Sequence, residues 1–139
     1  AILDSQGTIR ASNRSELVGL NFVDRYYYQR AKELANPSAL ILSPPFVTKL
    51  GTYTVNASKY IVDSSGGFVG VAVASLEPVY FEPLIKAVPY SEDMWGHLVH
   101  SQGVVFLTAP EKINVAGKNL SNPETLFSKH IKSGNISNI

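Results

Sequence analysis

Two runs joined by a glycine turn constrain this chain most. From Thr52 to Val62 the side chains alternate, with Tyr53, Val55, Ala57 and Ile61 on one face and Thr54, Asn56, Ser58 and Tyr60 on the other. A period of two marks a strand with different surroundings on its two faces. Asp63-Ser64-Ser65-Gly66-Gly67 then returns the chain into Phe68 to Leu76, as a hairpin turn does. That second run is apolar or small on both faces, which predicts a central strand covered on both sides. Gly70, Ala72 and Ala74 remove side-chain bulk from one of those faces. Either a closely packed helix or a bound ligand fills the space.

The rest of the chain is arranged around this pair. Ile2-Leu3, the turn residues Asp4-Ser5-Gln6-Gly7, and Thr8-Ile9-Arg10-Ala11 read as a leading hairpin. A helix starts at Asp24 as N-cap and stops at Ala35, before Asn36-Pro37. Its apolar stripe is Tyr27, Ala31, Leu34 and Ala35, with Tyr28 beside it, while Gln29, Lys32 and Glu33 face water. Ala39 to Ser43 is a short buried strand closed by Pro44-Pro45. Pro78 to Ala87 is helical with a kink at Pro83, and Pro89 to Asp93 is a linker.

Beyond that linker the opening recurs. Leu3-Asp4-Ser5-Gln6-Gly7-Thr8-Ile9 is answered by Val99-His100-Ser101-Gln102-Gly103-Val104-Val105. Val18-Gly19-Leu20-Asn21 is answered, after a two-residue insertion, by Ala116-Gly117-Lys118-Asn119. Asn122-Pro123-Glu124 opens a helix where the tyrosine helix stood in the first copy. Two matches in register predict a duplicated unit: a complete one over 1–88 and the start of a second over 89–139.

The chain has 139 residues, 45% of them hydrophobic and 17% charged, a composition that folds and buries a core. A net charge of +1 without a basic run offers nothing to nucleic acid or to a membrane surface. The longest apolar stretch, Phe68 to Leu76, is far short of a membrane span. Because the first residues already read as a strand in progress, a piece of a longer protein is expected, with targeting and anchoring segments outside it. There is no cysteine, which excludes disulfides, thiol catalysis and thiolate metal sites.

Phosphate loops, dinucleotide fingerprints and nucleophile elbows are missing from the sequence. His97 and His100 lie three apart in a strand, on opposite faces, and make a poor metal site. His130 stands near a helix end, where it suits the dipole. Asp4 and Asp63 sit in glycine turns and bond local backbone. No metal and no cofactor is expected. What remains is the stretch Gly19 to Ala31, with Arg25 among Tyr26, Tyr27 and Tyr28. Flat apolar faces, hydroxyls and a permanent cation suit a small polar or anionic ligand; the plain alternative is aromatic cover over a core. On a helical wheel Arg25 falls nearer Lys32 than Tyr27.

The order of motifs resembles a Cache domain, the PAS-like extracytoplasmic sensor of bacterial receptors. It comprises the hydrophobic-Asp4-Ser5-x-Gly7 turn, then Gly19-Leu20-Asn21-Phe22-x-Asp24-Arg25-x-Tyr27-Tyr28, Leu42-Ser43-x-Pro45 and a strand holding Thr54. Asp63-x-x-Gly66-x-Phe68-x-Gly70-Val71 and Leu76-Glu77-Pro78-x-Tyr80-Phe81 follow. The resemblance covers residues 1–88, and 94–132 looks like the beginning of the membrane-proximal repeat of a double-Cache module. It implies an α/β (α+β) fold, a central antiparallel sheet flanked by helices, and a long N-terminal helix that this chain lacks. It also implies a pocket between the sheet and the segment over it. The location implied is periplasmic or extracellular, in a membrane receptor whose output module is a histidine kinase, diguanylate cyclase or chemotaxis module.

Arg25-x-Tyr27-Tyr28-x-x-Ala31 is similar to the Arg-x-Trp-Tyr-x-x-Ala motif of amino-acid-sensing members. Two aspartates that would hold a ligand ammonium are replaced, by Phe46-Val47-Thr48 after the third strand and by Ser75 in the last. The expected site is Arg25 pairing an anionic or strongly polar group, walled by Tyr27 and Tyr28, with Thr54, Asn56 and Ser75 opposite. Small carboxylates head the ligand candidates. The competing reading is a ligand-free module that associates with itself or with a protein partner. A small hydrolase or transferase ranks third, because its base would have to come from the incomplete second unit.

Overall fold

A computed structural model describes residues 1–48, 51–88, 91, 93–111 and 115–134. The chain divides into two units: Ala1–Ser43 with Val55–Leu76, and Pro44–Thr54 with Glu77–Ile139. Compactness thus draws a boundary different from the one repetition draws at residue 88.

In the first unit five strands form an antiparallel sheet in the order β2-β1-β6-β5-β3: β1 (Ile2–Asp4), β2 (Ile9–Ala11), β3 (Ile41–Leu42), β5 (Tyr53–Val62) and β6 (Phe68–Leu76). The first two residues of β5 belong to the second unit. The predicted alternation sets the register, pairing Asn56 with Ser75, Ser58 with Val73 and Tyr60 with Val71. Helix α1 (Tyr26–Leu34) lies on the face that carries Val71. Leu3, Ile9, Tyr28, Ala31, Ile41 and Val71 form the core there, with Phe22, Val23, Tyr27, Phe68 and Val73 packed against it. Burying such side chains is worth about 1.5–3 kcal/mol each, and this is what holds a nine-residue helix too short to persist alone.

Three expectations are corrected here. The helix N-cap is Arg25 rather than Asp24, with extended backbone (φ −78°, ψ 140°) and no side-chain cap; its carbonyl accepts from the amides of Tyr28 and Gln29. The helix ends on Ala35 in the left-handed region, φ 49°. Strand β6 is central, but Ala74 and Ser75 are exposed, and α1 covers only the Val71 face. The small-residue face is the opposite one. Gly70 is small because β1 needs the room: a Cβ there would lie 2.0 Å from the Leu3 carbonyl oxygen. Neither a helix nor a ligand is its reason.

The second unit holds β4 (Phe46–Val47), which pairs with Thr54 and Tyr53, and the hairpin β7 (Gly96–Val99) with β8 (Val105–Ala109). It also holds α2 (Glu82–Lys86) and α3 (Leu126–Ser133). The helix expected over 78–87 is broken into a 3-10 turn, Pro78–Tyr80, and α2, because Pro83 cannot donate to a continuous ladder. All five residues of β8 are buried, and Phe106 meets the rings of Tyr53 and Phe81 at 5.9 and 5.8 Å.

The repeat is matched bond for bond. Asn21 Nδ2 donates to the Gln6 carbonyl and Oδ1 accepts from the Val23 amide; Asn119 Nδ2 donates to the Gln102 carbonyl and Oδ1 accepts from the Ser121 amide. The Phe22 amide donates to the Gly7 carbonyl and the Leu120 amide to that of Gly103. Both glycines have φ near +80° (81° and 84°), and a Cβ at either would strike the strap that crosses it.

Candidate ligand site

The α1 face of the sheet changes character along β5. At one end it is aromatic: Tyr60 stacks on Phe68 at 4.7 Å, and Tyr28 meets Phe68 edge-on at 6.2 Å. Towards the other end it turns polar, with Asn56 and Ser58 from β5 and Ser43 after β3, each at most 4% exposed. Burying hydroxyls and an amide costs free energy unless they are bonded, and most of these are. Ser43 Oγ accepts the Asn56 amide at 2.9 Å. Ser58 Oγ donates to the Tyr27 carbonyl at 3.2 Å, with the Ile41 carbonyl at 3.5 Å. Ser75 Oγ donates to Asn56 Oδ1 at 2.9 Å.

The predicted residues divide into two roles. Tyr28 is fully buried and its hydroxyl donates to the Ser5 carbonyl at 2.7 Å. It holds α1 against the first turn, and its hydroxyl is committed. Burial first, and the Asp4 charge second, raise its pKa. Tyr27 is half-buried, and its hydroxyl makes no hydrogen bond among the described residues. Burial raises its pKa, against a smaller lowering by the Arg25 charge, so the guanidinium acts on this phenol.

Arg25 is half-buried, with its guanidinium carbon 5.6 Å from the Phe22 ring centre. Elsewhere in the first unit Arg10 pairs with Asp4 and Arg30 with Glu33, at 2.7 and 2.8 Å. Among the described residues Arg25 pairs with no carboxylate. The wheel objection to it does not apply, because Arg25 precedes the helix and has extended backbone.

Asn56 is 4% exposed. Its Nδ2 donor makes no bond among the described residues, whereas no sealed side-chain nitrogen or oxygen among them lacks a partner. That donor therefore reaches solvent, beside the exposed Ser75. Thr54, also buried, belongs to the second unit and is not grouped with the other five. The sequence analysis missed Ser43 and Ser58. The same alternation that picked out Asn56 puts Ser58 on its face, while Ser43 joins only through the pairing of β3 with β5.

The remaining candidates are structural. Asp4 Oδ1 accepts from the amides of Gln6 and Thr8, both at 2.9 Å, and Asp63 Oδ1 from Ser65 and Gly67 at 2.9 and 2.8 Å. The Thr8 amide first lowers the Asp4 pKa, and the Ser65 hydroxyl that of Asp63. His97 Nδ1 lies 3.0 Å from Thr108 Oγ1, and His100 Nδ1 accepts from the Gln102 amide. Among the described residues no cluster could hold a metal ion, and no helix is long and apolar enough to cross a membrane.

No protein-family model and no curated protein matches the sequence. Solved structures do match. The extracellular domain of rpHK1S-Z16, named as a histidine kinase, is 26% identical with a TM-score of 0.78, over 96% of this chain and 54% of that one. An extracellular ligand-binding receptor from Desulfohalobium retbaense DSM5692 is 19% identical with a TM-score of 0.66, over 86% and 22%. The ligand-binding domain of the Pseudomonas aeruginosa PAO1 amino-acid chemoreceptor PctB, in complex with L-Gln, is 18% identical with a TM-score of 0.65, over 86% and 48%. This chain thus spans about half the length of the first, 54%. By its antiparallel sheet and the helix across one face of that sheet, the chain has the fold of extracellular ligand-binding domains of kinases and chemoreceptors, the fold that the resemblance to a Cache sensor domain implies.

Proposed function

We propose that this chain is the extracytoplasmic sensor of a membrane receptor, and that its first unit binds a small polar or anionic ligand on the α1 face of the sheet. The observation that carries this is Arg25, a half-buried guanidinium without a carboxylate partner among the described residues. A partly exposed guanidinium stays charged without a partner, and a ligand carboxylate would pair with it through two parallel hydrogen bonds. Tyr27 forms the wall beside it; Asn56 and Ser75 stand across the sheet face, and Tyr28 supports α1 from below. The output is a histidine kinase, diguanylate cyclase or chemotaxis module outside this chain. No catalysis is assigned to the chain itself.

A thermal-shift panel of small carboxylates, amino acids and amines tests this. A ligand at a hundred times its Kd adds about 2.7 kcal/mol. Stabilisation by a carboxylate, lost in Arg25→Ala, is the expected result. An undiminished response in that variant removes Arg25 from the site.

A second reading has its own observation. Val79, Tyr80, Leu84 and Val88 of the second unit are 57–67% exposed, an apolar strip suited to a second copy of this chain. Sedimentation as a monomer at every concentration would exclude it.

A further inference from the structure

The two copies of the opening turn share a backbone and differ in their acceptor. Asp4 donates its amide to the Thr8 carbonyl and His100 donates its own to that of Val104, both at 2.9 Å. The Asp4 and His100 carbonyls accept from the Gly7 and Gly103 amides. At the side chain the copies part. Asp4 Oδ1 accepts from the amides of Gln6 and Thr8, and Oδ2 pairs with Arg10. In the second turn half-buried His100 puts Nδ1 in the place of Oδ1 and accepts from the Gln102 amide at 3.2 Å. Val104 and Phe106 stand where Thr8 and Arg10 stand in the first copy.

An ionised carboxylate accepts at both oxygens, whereas imidazole accepts at Nδ1 only while neutral, with its proton on Nε2. Protonation makes both ring nitrogens donors and sets donor against donor at the Gln102 amide. Histidine is the side chain that ordinarily changes charge between about pH 5 and pH 8. Gln102 is also where the second strap is fastened. Its carbonyl accepts from Asn119 Nδ2 at 3.4 Å and Ser121 Oγ at 3.0 Å, and the next carbonyl, of Gly103, takes the Leu120 amide at 2.7 Å. The Leu120 carbonyl in turn accepts the hydroxyls of Thr125 and Ser128 at the start of α3. A short run of hydrogen bonds thus joins this turn to α3.

No carboxylate pairs with His100 among the described residues. Around the hairpin, His97 Nδ1 lies 3.0 Å from Thr108 Oγ1, the Tyr53 hydroxyl donates to the Val105 carbonyl, and Glu82 and Lys86 of α2 pair with each other at 2.6 Å. The strap carries Lys118 and α3 carries Lys129, His130 and Lys132, while Glu111 and Glu124 are exposed in the segments between.

We propose that the second turn is a protonation-sensitive latch: on acidification His100 releases the Gln102 amide and loosens the strap that leads to α3, while Asp4 holds the matching turn of the first unit closed. Amide-resolved NMR of the 139-residue chain, from about pH 8 to about pH 5, tests it. The Gln102 amide signal should move with the same midpoint as the His100 ring protons. The protection factor of the Leu120 amide should fall by about threefold or more, as the loss of one hydrogen bond implies, with that of Phe22, its counterpart in the first unit, unchanged. His100→Gln should abolish the change at Leu120, whereas His97→Gln and His130→Gln should keep it. His100→Asp copies the first turn and should hold Leu120 protection constant over the range, so the test stands even if the glutamine variant does not fold. Leu120 protection that is the same at both ends of the range in the parent, or that falls equally in His100→Gln or His100→Asp, overturns the proposal.

Discussion

At the scale of single residues, three neighbours in sequence do three different things. Tyr26 is 43% exposed, Tyr27 is half-buried with a hydroxyl that has no hydrogen-bond partner among the described residues, and Tyr28 is sealed with its hydroxyl bound. Their identical chemistry makes the difference a matter of direction around the helix. Tyr28→Phe should cost about 1–2 kcal/mol by leaving the Ser5 carbonyl without its donor, read as a lowered midpoint in urea. Tyr27→Phe should stay within about 0.5 kcal/mol of the parent in the absence of ligand. Arg25→Ala should likewise leave the unliganded midpoint almost unchanged, because the described structure gives Arg25 no ion pair to lose. A large destabilisation by Arg25→Ala would make it a structural cation.

At the scale of elements, the turns carry the acid sensitivity. Asp4 and Asp63 have folded pKa values below the ordinary carboxylate value, through amides, a hydroxyl and, for Asp4, Arg10. A depressed folded value means the stabilisation is complete above the unfolded value, about pH 3.9, and is lost as pH falls through the folded values below it. The double variant Asp4→Asn/Asp63→Asn should therefore lose less thermal stability than the parent between pH 6 and pH 3, by differential scanning calorimetry. Both sites are exposed, so the effect is modest. The close approach of β1 to β6 is the second element-level feature. Gly70→Ala puts a methyl group onto the Leu3 carbonyl and should cost about 1–3 kcal/mol, with amide exchange accelerated first in β1 and β2.

At the scale of the whole molecule, the repeat and the site separate. The two copies share their turn, asparagine strap and following helix, yet Thr125 is the N-cap of α3 where Arg25 is that of α1. Thr125 Oγ1 accepts from the Ser128 amide, a local cap that occupies it. The cation is not repeated with the fold. Ligand binding should accordingly slow amide exchange in 26–31, 56–58 and 73–75 more than in β7 and β8; equal protection throughout would show that the second unit also takes part.

Periodicity and turn chemistry alone determined much of this protein. The Thr52–Val62 alternation fixes which side chains share a face, the Asp63 to Gly67 turn pairs two long strands, and a repeated serine-glutamine-glycine turn announces a second copy. These are local properties of backbone geometry, legible because neighbours in sequence enforce them. Which face of β6 the helix would cover was not legible, since both Val71-Val73 and Gly70-Ala72 are compatible with packing. The apolar side chains that strands distant in sequence bring to the Val71 face, Leu3, Ile9 and Ile41, decided it. Nor could the sequence say which tyrosine hydroxyl and which arginine would be left without a partner among the described residues. The Arg30–Glu33 pair is local to one helix, but the Ser5 carbonyl reaches Tyr28 from 23 residues away, and only the tertiary structure brings such a partner or withholds it.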